Sequence, residues 1–201
     1  MNSNKLKYLV TGVPRSGTGY MYKLLESAGI KIGHEKIFTV KGYDSTNLKN
    51  KEADSSWLAV PFLNESVLSN TKVIHVIRNP YDVVSSMLHI GLFNIKQVRE
   101  YTRFIYKHLP DIKDLDSELE KAVSFYVRWS NKINKRCDFK YKIKDCPSAM
   151  LESAGIIHKK ELLFNNTEYN ARGCHDTISY NDIATLPTEL SQSFMEIADE
   201  Y

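Results

Sequence analysis

Cysteine is scarce in this chain: 201 residues carry three, Cys137, Cys146 and Cys174. They are too widely spaced for a zinc motif and too few for a disulfide framework. They therefore read as free thiols of a reducing cytosol, and a cytoplasmic location is the expectation. No apolar run reaches membrane length, and the opening MNSNKLKYLV lacks the apolar centre of a secretory signal. A large charge of one sign is missing as well. Lys and Arg number 27 against 24 Asp and Glu, a net charge of +3. That suits an anionic ligand but falls short of the basic footprint of a nucleic-acid binder. Repeats, low-complexity tracts and linkers are absent, so one domain over residues 1–201 is expected, with enough chain for a real core.

What is present begins at residues 6–29, LKYLVTGVPRSGTGYMYKLLESAG. Tyr8, Leu9 and Val10 make a short apolar run. A turn with Gly12, Gly17 and Gly19 follows, and then Met21, Leu24, Leu25 and Ala28 recur at helical spacing as far as Gly29. The pattern predicts strand, loop and helix. The N–H groups of such a loop, together with the helix N-terminus, make a concave anion site.

Residues 30–35 predict a second short strand ending in His34 and Glu35, and the weakly periodic residues 36–56 predict a loop or small excursion. Residues 57–63, WLAVPFL, should pack in the core, with Pro61 arguing against a central strand. Residues 72–77, KVIHVI, read as a parallel strand buried on both faces, and Pro80 opens a helix whose apolar side is Val83, Val84, Met87 and Leu88. Further helices are expected over 94–109 and about 115–135. A strand follows at 139–143, a short helix at 147–154 stopped by Gly155, a loop at 164–177, and two terminal helices at 179–186 and 187–201. Alternating strands and helices imply a three-layer α/β/α fold of P-loop type with a mainly parallel central sheet. Ligands of such sheets bind at the carboxyl ends of the strands. The loop at 12–19, Glu35 and Arg78 all follow strands, so they should gather at that edge.

The loop itself lacks one residue. A nucleoside-triphosphate loop reads GxxxxGK[ST]. Gly12 and Gly17 have that spacing, but Thr18 stands where the lysine belongs, and the cation has moved inside the loop to Arg15. The strand at 72–77 runs into Arg78 rather than an aspartate that could hold Mg²⁺. Both departures point to an anion held by protein charge without a metal. Gly12-Val13-Pro14-Arg15-Ser16-Gly17-Thr18 resembles the 5′-phosphosulfate-binding loop of sulfotransferases that use 3′-phosphoadenosine 5′-phosphosulfate (PAPS), with Arg15 where that family has Lys or Arg. Residues 72–86, KVIHVIRNPYDVVSS, resemble the family's 3′-phosphate-binding segment. That segment has an arginine at a strand end and a serine eight residues later, here Arg78 and Ser86. Residues 170–173, NARG, resemble the late basic loop that closes over the 3′-phosphate. Together with Gly33-His34-Glu35, the loop is similar to the tyrosylprotein and bacterial carbohydrate branches. Gly19 departs from the family's frequent second threonine.

The resemblance implies transfer of a sulfuryl group from PAPS to a hydroxyl or amine by in-line displacement, leaving adenosine 3′,5′-bisphosphate. It implies cofactor-binding roles for Pro14, Arg15, Ser16, Gly17, Thr18, Gly19, Arg78, Ser86 and Arg172, with Arg15 also neutralising the leaving oxygen. The acceptor must lose a proton, and Glu35, then His34, are the candidate bases. The acceptor stays open among glycan, peptide, lipid and small alcohol. Two other readings stand beside this one. The first is a small P-loop ATP-dependent kinase, against which the missing loop lysine counts. The second is a non-catalytic nucleotide-binding module of sulfotransferase fold. Plainer roles are expected for His75 as a satisfied core histidine and for Trp57 and Trp129 as packing residues. Arg78 also has an ordinary partner within reach in Asp82.

Overall fold

Side chains on a strand alternate between its two faces, so a strand apolar on both must be covered twice. Tyr8–Thr11 (β1) is such a strand: Leu9 and Val10 are both fully buried. The computed structural model, which describes residues 5–97, 99–157, 164 and 176–201, builds a sheet around it. The elements that follow are α1 (Thr18–Ser27), β2 (Ile32–His34), a small hairpin of β3 (Phe38–Thr39) and β4 (Gly42–Tyr43), β5 (Ala53–Ser55), β6 (Lys72–Ile77), α2 (Pro80–His89), α3 (Arg99–His108), α4 (Glu118–Asn134), β7 (Phe139–Lys142), α5 (Pro147–Ser153), α6 (Tyr180–Ala184) and α7 (Thr188–Asp199). The main sheet has the order β2-β5-β1-β6-β7, and every neighbouring pair is parallel.

On one face, Val10, Ile74, Val76 and Tyr141 pack with Met21, Leu24 and Leu25 of α1 and Met150 and Leu151 of α5. On the other, Leu9 and Val73 meet Val83, Val84 and Met87 of α2, Phe104 of α3, Trp129 of α4 and Phe194 of α7. Each fully buried side chain of this size contributes about 1.5–3 kcal/mol. The result is a three-layer α/β/α fold with a parallel central sheet. None of the helices is long and apolar enough to cross a membrane, among the described residues.

Local signals set the helix starts. Asn79 Oδ1 accepts from the Tyr81 N–H at 3.0 Å ahead of Pro80, and Ser117 Oγ accepts from the Glu120 N–H at 3.0 Å. α1 differs. Its N-terminal residue, Gly17, has φ 106° and offers no side-chain cap.

Two expectations need correction. Residues 36–56 are more than a loop or small excursion: besides the β3–β4 hairpin they hold β5, an interior strand of the sheet. β5 reads Ala-Asp-Ser, without the β-branched run that marks a buried strand. Its polar side chains are nonetheless buried, two of their oxygens bonded to main chain: Asp54 Oδ2 accepts from the N–H groups of Ile37 and Phe38 at 3.4 Å each, and Ser55 Oγ donates to the Thr18 carbonyl at 2.7 Å. The helix expected from residue 94 begins at Arg99, after a turn in which Asn94 Oδ1 accepts from the Lys96 N–H at 3.0 Å. Residues 57–62 do pack in the core and form no strand: they are a 3-10 segment whose first turn is capped by Ser56.

Candidate functional site

All five strands run the same way, so the loop after β1, the end of β2 and the end of β6 share one edge. The β1–α1 loop curls tightly against the end of β6. A Cβ on Gly12 would collide with Ser16 Oγ and the Val76 carbonyl, and a Cβ on Gly17 would collide with Ile143. These two glycines let the loop lie this close. Between them, Arg15 takes φ 74°, a left-handed conformation that a non-glycine residue adopts at a cost. That turn aims its guanidinium at α2, where Nε donates to Ser86 Oγ at 2.9 Å. The two sequence motifs, 71 residues apart at these positions, therefore meet directly.

The rest of the loop has donors to spare. The first N–H groups of a helix have no partner within it, and α1 has neither a side-chain cap nor an acidic residue in its first turn. Ser16 Oγ is buried beside Gly12 and makes no hydrogen bond, and Thr18 is buried as well. Pro14 is buried at the loop's tip, and Gly19 lies in the first turn of α1. Arg78, just past β6, is half-buried and lies 3.8 Å from Asp82 one helical turn on. A partly exposed pair at this distance is weak and easily exchanged for a stronger anion. Arg172 lies outside the described residues.

The end of β2 is tied to the loop through Ser55, a residue that no motif in the sequence marks. Its carbonyl accepts from the Glu35 N–H at 3.1 Å and from His34 Nδ1 at 2.9 Å. Its hydroxyl bonds the Thr18 carbonyl at the start of α1. Because a carbonyl only accepts, Nδ1 of His34 carries the proton and Nε2 is left as the basic atom. The His34 ring stacks on Tyr22 of α1, with centroids 5.9 Å apart. Glu35 takes φ 51° and turns the other way, to α3, where its Oε2 accepts from the Tyr101 hydroxyl at 3.2 Å. His34 thus belongs to the α1 face of the sheet, and Glu35 to the face that also carries α2 and Ser86.

Two buried groups near this edge are perturbed. Burial pushes the Asp54 carboxyl up to about 6, against the N–H bonds to it and the nearby His34, which lower it. Its Oδ1 has no hydrogen-bond partner. Burial pushes His75 down to about 4, and its Nδ1 lies 3.0 Å from Asn134 Oδ1. His75 is thus a neutral, partnered residue of the interior. Trp57 and Trp129 lie in the core as well, with Trp129 Nε1 donating to the Trp57 carbonyl at 3.2 Å.

Among the described residues no group of His, Cys, Asp and Glu could hold a metal ion. The edge can do two things with the residues it has. It can receive a divided oxyanion on N–H groups, a hydroxyl and guanidinium groups, and it can accept a proton on Glu35. Compared with known protein families and with curated proteins, the chain matches no family model and no curated sequence.

Proposed function

We propose that the chain is a sulfotransferase that moves a sulfuryl group from PAPS to a hydroxyl or amine acceptor. The observation that carries the reading is the 2.9 Å hydrogen bond from Arg15 Nε to Ser86 Oγ. It joins the loop that resembles a phosphosulfate site to the helix that resembles a 3′-phosphate site, at the carboxyl edge of a parallel sheet. A donor with anionic groups at both ends suits such a pair. The uncapped start of α1, the unpartnered Ser16 hydroxyl and the cradle left by Gly12 and Gly17 all fit a phosphate at the loop.

The donor supplies an activated sulfur bound to a phosphate oxygen. Ser86 fixes the plane of the Arg15 guanidinium, which neutralises the charge that grows on that oxygen as its bond to sulfur breaks. Arg78 exchanges Asp82 for the second phosphate. Glu35 receives the acceptor's proton. It is favoured over His34 because it lies on the Ser86 face of the sheet, whereas His34 is turned to Tyr22. The acceptor is a glycan, peptide, lipid or small alcohol.

Calorimetry tests the reading. Adenosine 3′,5′-bisphosphate should bind without added metal, and more tightly than ATP with Mg²⁺; the reverse order sinks it in favour of a kinase. Binding of the bisphosphate without transfer from labelled PAPS to any acceptor would instead mark a nucleotide-binding module.

A further inference from the structure

We infer that Tyr101 is a positioning residue for the base: its hydroxyl holds Glu35 Oε2 and leaves Oε1 to take the acceptor's proton. The inference rests on the reading of Glu35 as that base. The bond spans 66 residues of chain, and no other hydrogen bond to the Glu35 carboxylate occurs among the described residues. Glu35 is restrained at both ends. Its main chain, at φ 51°, is tied to β5 through the Ser55 carbonyl, and its carboxylate is tied to α3. A left-handed glutamate is an unusual choice for a strand end. Here it swings the side chain away from α1 and onto Tyr101.

Tyr101 is itself well supported. Its ring lies 5.5 Å from that of Trp57. Trp57 meets Phe104 and Phe125 edge-on at 5.7 and 6.2 Å, so the phenol stands on a rigid aromatic base. Tyr101 is still 37% exposed, so its hydroxyl and the carboxylate lie where a second molecule can reach them. Burial and the charge of Glu35 push the phenol up to about 12. It therefore stays protonated near neutral pH, able to orient Glu35 but not to compete with it. In the transfer, the acceptor O–H proton passes to Oε1 and the acceptor oxygen bonds sulfur. The sulfur–phosphate oxygen bond breaks, with its electron pair leaving on the oxygen beside Arg15.

The test uses the whole chain, PAPS as donor and 2-naphthol as acceptor probe. Tyr101→Phe should leave bisphosphate affinity within about twofold and lower kcat by about tenfold with little change in KM, the loss of one hydrogen bond to a charged group. Glu35→Gln should cost more, about a hundredfold. Adding Tyr101→Phe to Glu35→Gln should cost nothing further, because Tyr101 acts through the carboxylate. A readout free of turnover is the ionisation of Tyr101, followed by carbon NMR of labelled tyrosine and assigned with Tyr101→Phe. Glu35→Gln should move it to lower pH, since the charge that raises it is gone. An unchanged kcat in Tyr101→Phe, a full tenfold loss on the Glu35→Gln background, or an unmoved Tyr101 titration overturns the inference. Failure of the sulfotransferase reading looks different: the wild type does not bind the bisphosphate, or binds it and transfers sulfate to no acceptor.

Discussion

Three non-glycine residues take positive φ among those described, Arg15, Glu35 and Asn50, and two of them are the candidate cation and the candidate base. Each such conformation costs about 1–3 kcal/mol, and at both site positions it re-aims a charged side chain, one onto Ser86 and the other onto Tyr101. Arg15→Ala should therefore collapse turnover by about 10²–10³, as expected for loss of a group that stabilises developing charge. Arg78→Ala should mainly raise the bisphosphate Kd, by about tenfold, because its present partner is a long 3.8 Å contact to Asp82. Steady-state kinetics with parallel calorimetry separates the two; equal and small effects would refute the division of roles. At this scale the residue types and spacing of Arg15, Ser86 and Glu35 are legible in the sequence. It was blind to Tyr101 and Ser55, because a hydrogen bond across 66 residues, or one shared carbonyl, leaves no local pattern.

The loop and α1 behave as one element hung on two glycines. Gly17→Ala places a Cβ against Ile143 at a backbone φ of 106°. It should destabilise the fold by about 1–3 kcal/mol and loosen bisphosphate binding in step, read by thermal melts with and without the ligand. The long periodic elements α2 and α4, and the β-branched β6, were legible from sequence because apolar spacing wrote them. β5 was not. Its polar residues are buried by hydrogen bonds to the β2–β3 turn and to α1, so its strand character is a property of its neighbours rather than of its three residues.

Across the whole molecule, two buried groups on different strands titrate in opposite senses. His75, near 4 in the folded state against an ordinary 6.5, contributes stability that is present above 6.5 and lost as pH falls toward 4. Asp54, near 6 against 3.8, contributes stability present below 3.8 and lost as pH rises through 6. Over the same window one gain offsets the other. Asp54→Asn should remove the offset, so that stability relative to wild type falls by about 2–3 kcal/mol between pH 7 and pH 4. Urea midpoints at the two pH values measure it, and a constant difference would contradict the assignment. The strand order carries a further consequence. Among the described residues β2 pairs only with β5, and β5 lies between it and β1. During folding, β2 has no seat in the sheet until the later β5 has docked on β1, and closing that longer loop comes at an entropic cost. Glu35 therefore takes its place only together with β5, while the half of the site with Arg15 and Ser86 waits on the still longer closure that pairs β6 with β1.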